Sequence, residues 1–107
     1  VTVTLKALSL AADKASAAAG DVSFKADNKG ALAHELVVLK TDTAPDKLPV
    51  KDGKADESAG TVALKIADIA GGKADTKSVK LSAGKYVLLC NVAGHYQAGM
   101  AAAFTVQ

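Results

Sequence analysis

Val1, Val3 and Leu5 alternate with Thr2, Thr4 and Lys6, the period-two pattern of a strand with one buried face. The run VTVTLKALSL is read as one opening strand from Val1 to Leu10. The stretch AADKASAAAGD that follows has helix-favouring alanines, but it is shorter than the roughly 12 residues an isolated helix needs and lacks an apolar stripe; a short strand or turn is expected. Val22, Phe24 and Ala26 then alternate with Ser23, Lys25 and Asp27, and Asn28, Lys29 and Gly30 close that strand with turn chemistry. In AHELVVLK, His34, Leu36 and Val38 share one face and Glu35, Val37 and Leu39 the other. With apolar residues on both faces, this is a central, buried strand.

Residues 41–60 are polar, hold both prolines and show no period, so they are expected to form a long surface excursion. After Thr61 the punctuation is regular: an apolar stretch to Ile69, the turn AGGK, the alternating KSVKL, the turn SAGK, then YVLLCNV, and finally AAAFTVQ with Phe104 and Val106 on one face. About seven short strands without a convincing helix predict an all-β, two-sheet antiparallel sandwich in one domain spanning 1–107.

Composition narrows what such a sandwich can do. At 107 residues there is room for one core and one site. Half the residues are apolar, yet 23 residues are alanine and four are aromatic, so the core must be thin and aliphatic. Thirteen lysines, no arginine and eleven acids are interleaved to a net +2, which excludes the basic stripe and guanidinium forks of a nucleic-acid protein. No apolar run reaches the roughly 20 residues of a membrane-spanning helix. The chain starts with a strand rather than with Met or a leader, as a mature or trimmed product would. A single Cys forms no internal disulfide and does not by itself fix the compartment.

That Cys belongs to a cluster. Of the chain's two His, one Cys and one Met, three lie within eleven residues, as Cys90, His95 and Met100 in CNVAGHYQAGM, and His34 lies on the predicted central strand. One thiolate, two imidazoles and a thioether are the donor set of a mononuclear copper site. Gly94 and Gly99 supply turns that bring His95 and Met100 back toward Cys90. Zinc ranks second, because structural zinc sites favour more thiolates and do not recruit Met. Taken singly, a Cys or Met is usually core filler and a strand His a satisfied polar residue; the combination favours a metal. A Cys90 nucleophile with His34 or His95 as base would need a substrate cleft that a domain of small aliphatic residues leaves little room for, and would give Met100 no role.

The segments YVLLCNVAGHYQAGM and AHELVVLKTD resemble the cupredoxins, small blue copper proteins, on the side of sulfocyanin, rusticyanin and auracyanin. The resemblance runs from about Val22 to the C-terminus, roughly four fifths of the chain. It implies a Greek-key β-sandwich of seven to eight strands with one copper ion carried by His34, Cys90, His95 and Met100 near one end. It also implies that redox partners dock on an apolar patch around His95, here flanked by Ala93, Gly94, Tyr96, Ala98 and Gly99. Two positions depart from the family. Ala93 stands where many relatives have Pro, which removes one fixed φ angle, and Glu35 follows His34 where azurins have an Asn that ties the ligand loops. Asn91 and Asn28 are candidates to support the ligands, with ordinary turn chemistry the simpler reading for Asn28. Tyr86 is expected in the core with its hydroxyl at the rim.

The function expected is one-electron transport by a monomer in the periplasm or outside the cell, with a membrane tether open as an option. Copper delivery, or an accessory copper domain of a larger redox protein, are the alternatives. Enzymatic activity is not expected, since four protein ligands leave no open position for substrate. Between the imidazoles, His95 rather than His34 is expected to be lost to protonation in acid.

Overall fold

Strands with one apolar face must bury it against another such face, and in the computed structural model, which describes residues 1–107, two sheets do so. In chain order the strands are β1 (Thr2–Lys6), β2 (Ser9–Ala12), β3 (Ser16–Ala17), β4 (Gly20–Asn28), β5 (His34–Lys40), β6 (Val50–Lys51), β7 (Lys54–Ala55), β8 (Thr61–Ile69), β9 (Ala74–Leu81), β10 (Gly84–Leu89) and β11 (Ala101–Val106). One sheet runs β2-β1-β4-β9 and the other β3-β11-β10-β5-β8, with β6 and β7 forming a separate hairpin. Eight of these strands have four or more residues, in agreement with the expected all-β sandwich.

The sheets are mixed rather than purely antiparallel. β1 lies parallel to β4, Thr2 to Leu5 facing Lys25 to Asn28, and β3 lies parallel to β11. Between β2 and β4 the chain crosses to the other sheet for two residues and returns. A strand arriving by such a crossover is free of the antiparallel geometry that a tight hairpin imposes. The opening stretch is also not one strand. It folds back at Ala7 and Leu8 so that Leu5 faces Leu10, with Leu8 exposed and at φ 59°. No Gly marks this turn, which is why the pattern reads as continuous.

The main core lies between the sheets. Val3, Leu5, Val22, Phe24 and Ala26 from one side meet Leu36, Val38, Leu88, Phe104 and Val106 from the other. Phe24 and Phe104 touch edge to face, centroids 5.6 Å apart, a favoured aromatic geometry. β5 and β10 have buried side chains on both faces, as their continuous apolar runs require. Their second faces, Val37, Leu39, Val87 and Leu89, are covered by Leu48, Ala55 and Tyr96.

The excursion is therefore more than surface. Within residues 41–60, Leu48 and Ala55 are buried, and β6 and β7 pair across Asp52 and Gly53, both at positive φ (55° and 78°). Asp-Gly is the preferred dipeptide for that two-residue hairpin turn. A single 3-10 turn at Glu57–Ala59, capped by the Asp56 side chain, leads into β8.

Because Phe104 is 1% exposed and spans the sandwich, Phe104→Ala is expected to lower unfolding free energy by about 3–5 kcal/mol. Urea denaturation of the metal-free protein checks this, and a loss below about 1 kcal/mol would mean that the sandwich does not pack around this ring.

Candidate metal centre

The register of β5 against β10 brings the first two donors together. Leu89 faces Val37, so Cys90, one residue past β10, falls opposite Leu36 and on the same face as His34. His34 opens β5 and pairs with Ile69, next to a register shift between His34 and Leu36. Asp68, at φ 57°, lies beside it; an irregularity of this kind re-aims side chains at sheet ends.

The remaining donors arrive on a loop closed by its own backbone. The Cys90 amide donates to the Met100 carbonyl at 3.0 Å, fixing the two ends. Inside it, the His95 amide donates to Val92 O at 2.9 Å, and the amides of Ala98 and Met100 donate to His95 O at 3.2 and 3.3 Å. Gly94 (φ 82°) and Gly99 (φ 107°) take the left-handed values that this path needs.

His34 Nδ1 lies 3.5 Å from Cys90 Sγ, His95 Nδ1 lies 3.4 Å from the same sulfur, and the two nitrogens are 3.1 Å apart. His34, Cys90 and Met100 are fully buried, whereas His95 is half-buried. Met100 shares the main core cluster with Cys90. A triangle with those three sides has its centre about 1.9 Å from each corner, close to the roughly 2.0–2.3 Å of first-row metal bonds to nitrogen and sulfur. The donor set fits a soft, thiolate-binding transition metal.

The sulfocyanin (SoxE) domain model matches residues 15–107. The chain belongs to the sulfocyanin domain family, among the cupredoxins. Solved structures of similar fold include reduced auracyanin from the photosynthetic bacterium Roseiflexus castenholzii, 20% identical with a TM-score of 0.72, which covers 99% of this chain and 96% of that one. Auracyanin A from Chloroflexus aurantiacus, described as a "blue" copper protein, is 20% identical with a TM-score of 0.67, over 100% and 98% of the two chains. Rusticyanin from Thiobacillus ferrooxidans is 20% identical with a TM-score of 0.63, over 100% and 77%. No curated protein sequence matches significantly. Family and donor set together indicate one copper ion.

Within this sulfocyanin-like domain, the sulfur is tuned by burial and by an amide. Burial raises the Cys90 thiol pKa, while the amides of Glu35 and Val92 work against that rise; the Glu35 N–H lies 3.4 Å from Sγ. The backbone donor to the sulfur is thus present whatever side chain follows His34, while the Glu35 side chain makes no hydrogen bond that would take the place of the Asn tie between the ligand loops. Burial, followed by the neighbouring His95, lowers the His34 pKa and favours the neutral ring that a metal needs.

The two asparagines have structural work to do. Asn28 is fully buried; its side chain donates to Leu32 O (2.8 Å) and Ile69 O (2.9 Å) and accepts from the Gly30 amide (3.0 Å). It is a turn residue, as read, and that turn is the one delivering His34. Asn91 bonds across to the excursion, accepting from the Ala55 amide (2.8 Å) and donating to Ala55 O (3.0 Å) and the Glu57 carboxylate (2.7 Å). Tyr86 is in the core, its hydroxyl donating to Ser82 O at 2.7 Å. Tyr96, expected in the exposed collar beside His95, instead turns inward and is 6% exposed. Glu57 was missed by sequence, because a lone acid in a polar stretch carries no signal.

Burial raises the Glu57 carboxyl, but hydrogen bonds from Asn91 and Lys65 and the charges of Lys65 and Lys54 outweigh it and hold its pKa below 4.5. A depressed carboxyl stabilises the fold above its unfolded pKa, and that contribution is lost as pH falls through the folded value. Wild type is therefore expected to be more stable than Glu57→Gln at pH 7, with the gap beginning to close as pH falls past the unfolded glutamate value of about 4.3 and gone only below the folded pKa; urea titrations down through that range check this. Parallel curves at every pH would contradict it.

Proposed function

We propose that this domain is a one-electron carrier in which His34, Cys90, His95 and Met100 would hold one copper ion, the two imidazoles and the thiolate as the strong donors and the thioether as a weak one. The observation that carries the reading is the convergence of two imidazole nitrogens on one buried sulfur, within 3.1–3.5 Å of each other. Copper bound there supplies a one-electron couple between its cuprous and cupric forms. The chain's own part is to hold the donors still. The β5–β10 ladder and the Cys90–Met100 backbone bond fix their positions, the Glu35 amide stabilises negative charge on sulfur, and the full burial of Met100 keeps water from that side.

The half-buried His95 is the route outward. Ala93, Gly94, Ala98 and Gly99 around it are exposed, small and uncharged, so a redox partner can come close without displacing charged side chains, as brief electron-transfer encounters require. The working form is a monomer meeting its partners transiently in the periplasm or outside the cell. Delivery of copper is the weaker reading, because both sulfur donors are fully buried and an acceptor's thiol cannot reach them without opening the fold. Four protein donors likewise leave no position for a substrate.

One equivalent of Cu(II) is expected to give an intense visible thiolate charge-transfer band, absent in Cys90→Ser. A colourless wild type would contradict the assignment.

A further inference from the structure

The loop from Cys90 to Met100 carries Ala93 and four further exposed positions, Gly94, Gln97, Ala98 and Gly99, and two of its residues are glycines at positive φ. Such a sequence is intrinsically loose, since glycine has the widest conformational freedom and Ala93 leaves φ unfixed. Its donors nevertheless stand in a tight triangle. The loop's own backbone bonds close its ends and its inner turns; further stiffness has to come from outside it.

The excursion supplies it at three points. At the first, Asn91, directly after Cys90, makes its three side-chain bonds to Ala55 and Glu57, and Lys65 anchors Glu57 in turn with Nζ 2.9 and 3.1 Å from its carboxylate oxygens. At the second, the Gly94 amide, next to His95, donates to Gly53 O at 2.7 Å, at the tip of the β6–β7 hairpin. At the third, the Tyr96 hydroxyl on the other side of His95 accepts from the Leu48 amide at 2.9 Å and donates to Pro45 O. Asn91 and Tyr96 are both nearly inaccessible to water, where a lost partner leaves an unsatisfied group and costs most.

We propose that the segment Pro45–Glu57 is a positioning brace for the metal loop, with Asn91 and Tyr96 as the positioning residues that transmit it and make up for the freedom left at Ala93. None of these residues touches the metal position; each acts through Cys90 or His95. The proposal rests on the copper reading for its consequence but not for its geometry, which belongs to the metal-free chain.

The test uses the full chain, with Tyr96→Phe, which removes two bonds and keeps the ring, and Asn91→Ala, which removes three. Two quantities are read: amide hydrogen exchange at Gly94 in the metal-free protein, and the rate at which the Cu(I) protein loses copper to excess chelator. Each variant is expected to speed both by about tenfold, the order expected for losing a buried hydrogen bond or two, while keeping the thiolate band. Ala93 donates no hydrogen bond through its amide, so Ala93→Pro can stiffen the loop without breaking one. It is expected to restore slow exchange and slow copper loss in the Asn91→Ala background and to change wild type by less than about twofold. Unchanged Gly94 exchange and copper loss in Tyr96→Phe would overturn the brace, even if Asn91→Ala failed to fold. Lower global stability with Gly94 exchange unaltered would also overturn it, since that is a merely structural role, and failure of Ala93→Pro to rescue would overturn the link to Ala93. A wild type without a copper band would remove the copper reading alone, and Gly94 exchange would still decide the brace.

Discussion

The antiparallel ladder from Tyr86–Lys40 to Leu89–Val37 sets which face of β10 meets which face of β5, and the position of the sulfur follows from it. Side chains alternate strictly along a strand, so a slip of one residue would send Cys90 to the outer face and leave His34 facing an apolar wall. The in-register ladder also holds the Glu35 amide over the sulfur. Hydrophobic burial secures the register, because Leu36, Val38 and Leu88 must face the main core while Val37, Leu39, Val87 and Leu89 face the excursion. A strand apolar on both faces has few polar positions to signal its phase. Here the covering layer on each side supplies the phase instead.

That covering layer links fold to site. Leu48, Ala55 and Tyr96 close the second face of the five-stranded sheet, and all three also take part in the hydrogen bonds between the excursion and the metal loop. Burial and positioning are therefore coupled: the apolar contacts that hold the excursion down also keep its polar groups within reach of Asn91 and Tyr96. A thin, alanine-rich core gains from such sharing, since it has few large side chains to spend on stability alone.

Much of this was legible in the sequence because it rests on local periodicity and rare residue types. The alternation in β4, the two-faced run in β5, and the concentration of Cys90, His95 and Met100 required no tertiary information. What stayed hidden depends on pairing between distant segments. The β1–β2 hairpin turns at Ala7–Leu8 without glycine, so its alternation runs on unbroken. The parallel pairing of β1 with β4 and of β3 with β11 leaves no local trace. Strands β6 and β7 have two residues each, too few to show a period, and the Asp52-Gly53 turn between them was passed over within a polar stretch. Tyr96 was read as a collar residue because the sequence around it is that of an exposed loop, and only its distant partners Pro45 and Leu48 draw it inward.

On the proposed reading the donor triangle is imposed by the fold and does not wait for the metal. High-resolution crystal structures of the metal-free, Cu(I) and Cu(II) forms at neutral pH are the test. His34 Nδ1, Cys90 Sγ and His95 Nδ1 are expected to keep their separations to within a few tenths of an ångström in all three, as a small reorganisation on electron transfer requires. A metal-free form in which the His95 ring has swung away from Cys90, and closes only when copper binds, would contradict it.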